Sequence, residues 1–444
     1  MEEVQELLNF IEKSPSPFHV IENMKEQLLE EGLEELNEQD HWDLKRGHSY
    51  FVTRNGSSMV AFRIPENEIS GFQVIASHSD SPTFRIKEHA EMKVEGHYTK
   101  LNVEKYGGML MAPWFDRPLS VAGRVVVKEG HQIKTRLVAI DRDLVLIPNV
   151  AIHMNRDINN GYKYNPQVDM LPLFAEGNEK DGLLSLVAKE LGVARNDILS
   201  HELSLYVRGK GTVWGEHEEF ISSPKLDDLE CVYASMKGFL RAKDPKAATV
   251  LCVYDNEEVG SGTKQGAAST LLKDTLKRVI MAFGGGEEEY QRTINASFMV
   301  SADNGHALHP NHPEKADPIN HPKMNGGILI KHSANQKYTT DAVSAAVMRM
   351  LCQESKIPYQ DFVNRSDILG GSTLGNLSSM QVPMNTVDIG VAQLSMHSPY
   401  ETGGARDVVS LVKMAYAFYS SNICKHRDGE YRIEFGAGGN DEDH

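Results

Sequence analysis

Basic charge, long apolar runs and cysteine are all scarce in this sequence, and each scarcity excludes something. Lys and Arg number 46 against 62 Asp and Glu, a formal net charge of −16. A nucleic-acid partner needs clustered cations that displace counterions, and no basic stripe interrupts the acidic background. No run of about 18 apolar residues occurs, so no helix is expected to cross a bilayer. Met1 to Glu6 is acidic and leads into an amphipathic helical pattern, which reads against a secretory signal. The four cysteines, Cys231, Cys252, Cys352 and Cys424, stand singly and three lie in apolar runs, the pattern of buried free thiols in a reducing compartment. The expectation is a cytoplasmic protein with neither nucleic-acid nor membrane partners.

What is present is the composition of an ordinary globular protein, 40% hydrophobic and 24% charged. At 444 residues the chain exceeds one core, and two or three units are expected. Val4, Leu7, Leu8 and Ile11 recur at helical spacing, and Ser14-Pro15-Ser16-Pro17 separates them from a second helical pattern through Ile21, Met24 and Leu28. Phe72 to Ala76 reads as a buried strand. From Lys87 to Glu218 the texture is β-rich, with short strands expected at Arg124 to Lys128, Ile133 to Ile140 and Leu144 to Ile147, and one helix near Gly182 to Leu191. Beyond it helices and strands alternate: Leu229 to Leu240 helical, Ala248 to Tyr254 strand, Leu271 to Met281 helical, Phe298 to Ala302 strand. That alternation predicts an α/β unit with a central mixed, largely parallel sheet flanked by helices, to which the first 86 residues also belong. The expected units are therefore 1–86 with 219–444, and an inserted β-rich unit at 87–218. The polar tail from about Asp428 to His444 reads as disordered, and no internal repeat is present.

Acidic and histidine residues sit where the apolar strands end. His78 follows Val74-Ile75-Ala76, Glu257 and Glu258 follow Val253-Tyr254, Asp303 follows Val300-Ser301-Ala302, and His397 follows Leu394-Ser395-Met396; Asp227 opens a helix instead. Ligands bind beyond the carboxyl ends of strands in open α/β sheets, so side chains hundreds of residues apart can converge there. Two imidazoles and four carboxylates suit a borderline metal ion in an open shell, and the count suits two ions better than one. Taken singly each has a plainer explanation, such as a solvated loop for Glu257-Glu258 or a helix N-cap for Asp227-Asp228. Gly370-Gly371-Ser372-Thr373-Leu374-Gly375 lacks the Gly-Lys-Ser/Thr ending of a phosphate loop, and a turn that lets backbone approach a substrate fits it better.

The segments His78-Ser79-Asp80-Ser81-Pro82, Lys225-Leu226-Asp227-Asp228-Leu229, Asp255-Asn256-Glu257-Glu258-Val259-Gly260-Ser261, Ser301-Ala302-Asp303 with His306, and Gln393-Leu394-Ser395-Met396-His397-Ser398 resemble, in order and over nearly the whole chain, the signatures of the M18 metallopeptidases. That resemblance implies an aminopeptidase with two divalent ions, zinc or else manganese or cobalt, acting on peptides with a free N-terminus. His78 and Asp303 would bind one ion, Glu258 and His397 the other, and Asp227 both. Asp80 would orient His78, and Glu257 would be the general base. Tyr106-Gly107-Gly108, Trp114 to Arg117 and Ile147 to His153 resemble the family's dimerisation domain, which implies a homo-oligomer, a dodecamer built of dimers, with His153 reaching a neighbouring subunit's site. Gly371 and Thr373 would line the substrate pocket, and Lys331 with His306 would receive an acidic first side chain. After His397 the chain departs from the better-known members, with Ser398-Pro399-Tyr400-Glu401 in place of the more usual Ser-Ile-Arg. A neutral aminopeptidase, a two-metal deacylase or carboxypeptidase, and a non-catalytic assembly protein on the same fold are the competing readings.

Overall fold

The computed structural model describes residues 1–177, 182–243 and 245–435. Its centre is a nine-stranded sheet in the order Glu34–Leu36, Ser49–Arg54, Ser58–Arg63, Ala248–Tyr254, Phe72–His78, Phe298–Ala302, Asn385–Gly390, Ile328–His332 and Tyr359–Val363. The four strands from Ala248–Tyr254 to Asn385–Gly390 run parallel to one another, and strands on both sides of this block include antiparallel pairings. Every residue of Ala248–Tyr254, Phe72–His78 and Phe298–Ala302 is buried, as expected of parallel strands covered on both faces. Alternation divides their side chains between two cores. Ile75, Leu251 and Val300 face the helices Glu2–Glu12, Pro17–Glu30, Leu226–Arg241 and Ala405–Ser420, whereas Val74, Val250 and Met299 face Leu271–Ala282 and Glu287–Asn295. Each such buried aliphatic side chain contributes roughly 1.5–3 kcal/mol.

A second, six-stranded sheet is wholly antiparallel, in the order Gln132–Ala139, Leu119–Glu129, Ile198–Val207, Thr83–Val94, Tyr98–Tyr106 and Leu173–Glu176. It has its own core, in which Phe84, Val121 and Leu203 meet Leu183 and Val187 of the Gly182–Leu191 helix. The Thr83–Val94 strand spans residue 86, where the sequence pattern suggests a boundary, and its pairing with Tyr98–Tyr106 is irregular between Ile86 and Glu91. Leu144 to Ile147 is not a strand: only isolated bridges join Val145 to Leu119, Leu146 to Leu173 and Ile147 to Phe115. Ile147 pairs parallel with Phe115, whereas Val145 pairs antiparallel with Leu119 and Leu146 with Leu173, so no continuous ladder forms.

Two further expectations change. The tail is ordered through Glu434, because Glu430–Glu434 pairs with Asn422–Arg427 and buries Ile433 beside Ile423; residues 436–444 lie outside the described residues. The first turn of Leu226–Arg241 is not regular helix, since Asp227 has ψ 106° and the Asp227–Asp228 peptide is cis. All four cysteines are free, and Cys231, Cys252 and Cys352 are buried. Among the described residues no helix is long and apolar enough to cross a membrane.

Candidate metal centre

Parallel strands end at one edge of the sheet, and that edge gathers the acidic residues. His78 is the last residue of Phe72–His78, Asp303 follows Phe298–Ala302, and Glu257 and Glu258 open a one-turn helix just beyond Ala248–Tyr254. Asp227 arrives from the irregular start of its helix, and His397 from a loop in which its φ is +64°. Strand Asn385–Gly390 comes so close that a Cβ on Gly390 would lie 2.0 Å from the Asp303 carbonyl oxygen. Only glycine permits that approach.

Asp227 is the hub. Its Oδ1 lies 3.5 Å from His78 Nε2 and its Oδ2 lies 3.3 Å from His397 Nε2. His78 Nε2 is also 4.0 Å from Asp303 Oδ1, and His397 Nε2 is 3.3 Å from Glu258 Oε2. Candidate ligand atoms thus fall into overlapping clusters, one of His78, Asp227, Asp228 and Asp303 and another of Asp227, Glu258 and His397, with Glu257 joining His78 and Glu258 in a third.

The chemistry of this donor set fits a cation. Asp227 Oδ1, Asp228 Oδ1 and Glu258 Oε1 are buried and have no hydrogen-bond partner among the described residues, although buried carboxylates otherwise need partners. Burial pushes the Glu257 carboxyl up to about 8, with Asp303, Asp80 and Asp227 adding to the effect and His78 opposing it. Burial likewise holds Glu258 and Asp228 well above the usual range. Burial works against the charge of Asp227 too, but the neighbouring imidazoles of His397 and His78 outweigh it and keep that carboxyl low. A crowd of carboxyls that must retain protons to balance its own charge is one whose protons a divalent cation can displace.

Surrounding groups orient the cluster. His78 Nδ1 is 3.1 Å from the Asp80 carbonyl oxygen and 3.3 Å from Asp80 Oδ1, which turns Nε2 toward Asp227. The fully buried Asp80 carboxylate also accepts from the N–H groups of Glu257 and Glu258 at 3.1 and 3.2 Å and from the Tyr106 hydroxyl at 2.7 Å. One acid therefore aims both His78 and the Glu257–Glu258 turn. Sequence reasoning placed Tyr106 only in the dimerisation motif, and gave no part in the cluster to Asp228, whose Oδ2 accepts the His78 backbone N–H at 3.1 Å, or to Glu401, whose two oxygens accept the backbone N–H groups of Asp227 and His397.

The remaining candidates are dispersed. Lys331 is buried inside Ile328–His332, with Nζ 3.9 Å from Asp303 Oδ2 and 5.3 Å from the centre of the Tyr338 ring. Burial disfavours its charge, yet Asp303 and Tyr338 more than compensate and raise its pKa. His306 and Gly371 line a cavity of about 430 Å³ with Phe362, Leu394 and Ser395. The His306 ring reaches solvent, while desolvation within the cavity and the charge of Lys331 lower its proton affinity. Thr373 is buried and gives its hydroxyl to Asp388 Oδ1 at 2.5 Å, so it ties the glycine loop to the central sheet. His153 is exposed among the exposed Val150, Ile152 and Met154, and among the described residues no hydrogen bond or ion pair joins it to the cluster.

The sequence profile described as Aminopeptidase I zinc metalloprotease (M18) matches residues 10–419. A Clostridium acetobutylicum protein described as a probable M18 family aminopeptidase 2 is 46% identical over 428 residues, which cover 95% of this chain and 99% of that protein. Among solved structures, a chain of the Ape4 and Nbr1 complex superposes with a TM-score of 0.90 at 35% identity, covering 94% of this chain and 85% of that one. The Saccharomyces cerevisiae mApe1 dodecamer gives a TM-score of 0.83 at 28% identity, covering 94% and 96%.

Proposed function

Because the chain belongs to the M18 family of aminopeptidases, which are zinc metalloproteases, we propose that its cluster holds two zinc ions, one on His78 and Asp303 and one on Glu258 and His397, with Asp227 shared between them. The observation that carries this reading is the division of Asp227, one carboxylate oxygen toward each histidine. Manganese or cobalt would accept the same N and O donors. When bound, such ions acidify a water and polarise the scissile carbonyl.

The protein's own groups then move the proton. Glu257 is beside the cluster but is not needed as a ligand, so its carboxylate is free to take the proton from the attacking water and return it to the leaving amine. Burial and neighbouring acids raise its pKa to about 8, and nearby cationic charge favours its ionised form. Asp80 keeps His78 in the tautomer that leaves Nε2 unprotonated toward the cluster, and its bonds to the backbone of Glu257 and Glu258 fix the base beside the ligand.

Peptides are the substrates, and the finer choice we propose is an acidic first residue, received by Lys331 with His306 on the wall of the neighbouring cavity. We divide the chain into a catalytic unit of residues 1–86 and 219–444 and a dimerisation unit of residues 87–218. The exposed Val150, Ile152 and Met154 support an interface there, since interface cores are apolar. A relative that assembles as a dodecamer supports the same size here, with His153 completing a neighbour's site. Free thiols support a cytoplasmic location. Hydrolysis of matched peptides with free and N-acetylated termini tests the central reading: release of the first residue from the free amines alone is expected, and cleavage of the acetylated set would favour a deacylase.

A further inference from the structure

Asp227 and His397 are 170 positions apart in sequence, yet both hang four residues from one paired position. Strand Glu401–Gly404 is antiparallel to Phe220–Ser223, with Glu401 opposite Ser223. The chain reaches Asp227 four residues beyond Ser223, and His397 lies four residues before Glu401. Neither residue sits in a regular ladder or helical turn, so neither backbone N–H has a partner of that kind. Glu401 supplies both: Oε2 accepts from the Asp227 N–H at 2.9 Å and Oε1 from the His397 N–H at 2.7 Å, with the residue only 2% exposed.

We infer that Glu401 is a positioning residue that clamps the Asp227 and His397 loops together and so sets the 3.3 Å spacing of Asp227 Oδ2 and His397 Nε2. A carboxylate suits this task because it offers two acceptor oxygens and no donor, matched to two donors that approach from different segments. The inference rests on the proposed ligand roles of Asp227 and His397, and it extends them to a residue outside the proposed ligand set. Glu401→Gln keeps the shape but turns an NH₂ toward one of the two N–H groups, which releases that loop.

The test uses the full-length protein and reads metal, not turnover alone. Zinc affinity is measured by competition with a chromophoric chelator, and the cobalt-substituted protein is examined by its visible absorption, for the parent, Glu401→Gln and Asp227→Asn, with thermal unfolding as a control of folding. The clamp predicts that Glu401→Gln folds, binds zinc about 10–100-fold more weakly and shifts the cobalt bands, the usual scale for a group that orients a ligand. If Glu401→Gln does not fold, Glu401→Asp, which keeps the charge but is too short to span both loops, should show the same weakening. Parent-like zinc affinity and cobalt spectrum in the folded variant overturn the clamp. Asp227→Asn separates the two readings: loss of zinc there with parent-like binding in Glu401→Gln rejects the clamp alone, whereas full zinc binding in Asp227→Asn rejects the ligand assignment and the clamp with it.

Discussion

Lys331 holds its ammonium 3.9 Å from Asp303 Oδ2 from within a strand, where the side chain is only 2% exposed. A lysine is rarely buried so completely without a task for its charge. A cation on Asp303 would compete for that carboxylate and leave the ammonium to pair with an incoming acid, the route by which a chain of net charge −16 would accept the acidic peptides proposed above. Repulsion by the distant surface is screened beyond about 8 Å at physiological salt.

Lys331→Ala should therefore lower kcat/KM for peptides beginning with Asp or Glu by far more than for those beginning with Leu or Ala. The difference should lie within the roughly 2–5 kcal/mol found for truncating one partner of a buried, hydrogen-bonded charge pair. Steady-state kinetics on the four substrates decides the matter; an equal loss on all of them would mean a neutral aminopeptidase in which Lys331 only supports Asp303.

Replacing Glu257 by Gln should remove turnover by about 10²–10⁴-fold while both metals stay bound, since a general base contributes on that scale. Asp227→Asn should lose metal as well as activity. Metal analysis of the dialysed proteins alongside their rates distinguishes base from ligand, and a Glu257→Gln enzyme of near-normal rate would remove Glu257 from the reaction.

His153 is exposed here, and the proposed assembly places it at a neighbour's site. Particles co-assembled from Glu257→Gln and His153→Ala chains should regain part of the activity that each lacks alone, because some sites would then combine an intact Glu257 with an intact His153. Activity no higher than that of the separate variants would confine His153 to its own chain.

Acid should destabilise the protein partly through His19. Burial, assisted by Lys225, lowers its pKa from 6.5 to about 4, and its Nδ1 lies 2.7 Å from Ser16 Oγ. A histidine kept neutral in the fold contributes fully above about pH 6.5 and loses that contribution as pH falls toward 4, because the unfolded chain takes up the proton first. The loss is on the order of 3 kcal/mol. Urea midpoints at pH 7 and pH 4.5 should therefore separate more for the parent than for His19→Gln.

The parts of the site that could be read in the sequence are those written in side-chain type at the ends of apolar runs. Phe72 to Ala76, Ala248 to Tyr254 and Phe298 to Ala302 are buried on both faces, so they appear as mostly apolar words, each broken only by one uncharged polar residue (Gln73, Thr249 or Ser301), and the histidine or acids that follow them are conspicuous. Glu401 and Asp228 were not legible because they act on backbone N–H groups, and such bonds leave no periodicity. The bond from the Thr373 hydroxyl to Asp388 is likewise invisible in the sequence, since the two residues are 15 positions apart and belong to no shared pattern. Leu144 to Ile147 has the composition of a strand, but its partners are single residues, Phe115 and Leu119 on one side and Leu173 on the other. The tail hides a hairpin because only Ile433 of its second strand is buried among charged residues.

The residues of the cluster are carried by widely separated segments, from His78 near the start of the chain to His397 near its end. A ribosome making this protein has released His78, Asp227, Glu258 and Asp303 into solution well before His397 exists. A nascent chain that has not yet reached His397 lacks one of the two histidines beside Asp227, so on the proposed ligand set the capacity to cut peptides would be withheld from the growing polypeptide until that residue is made.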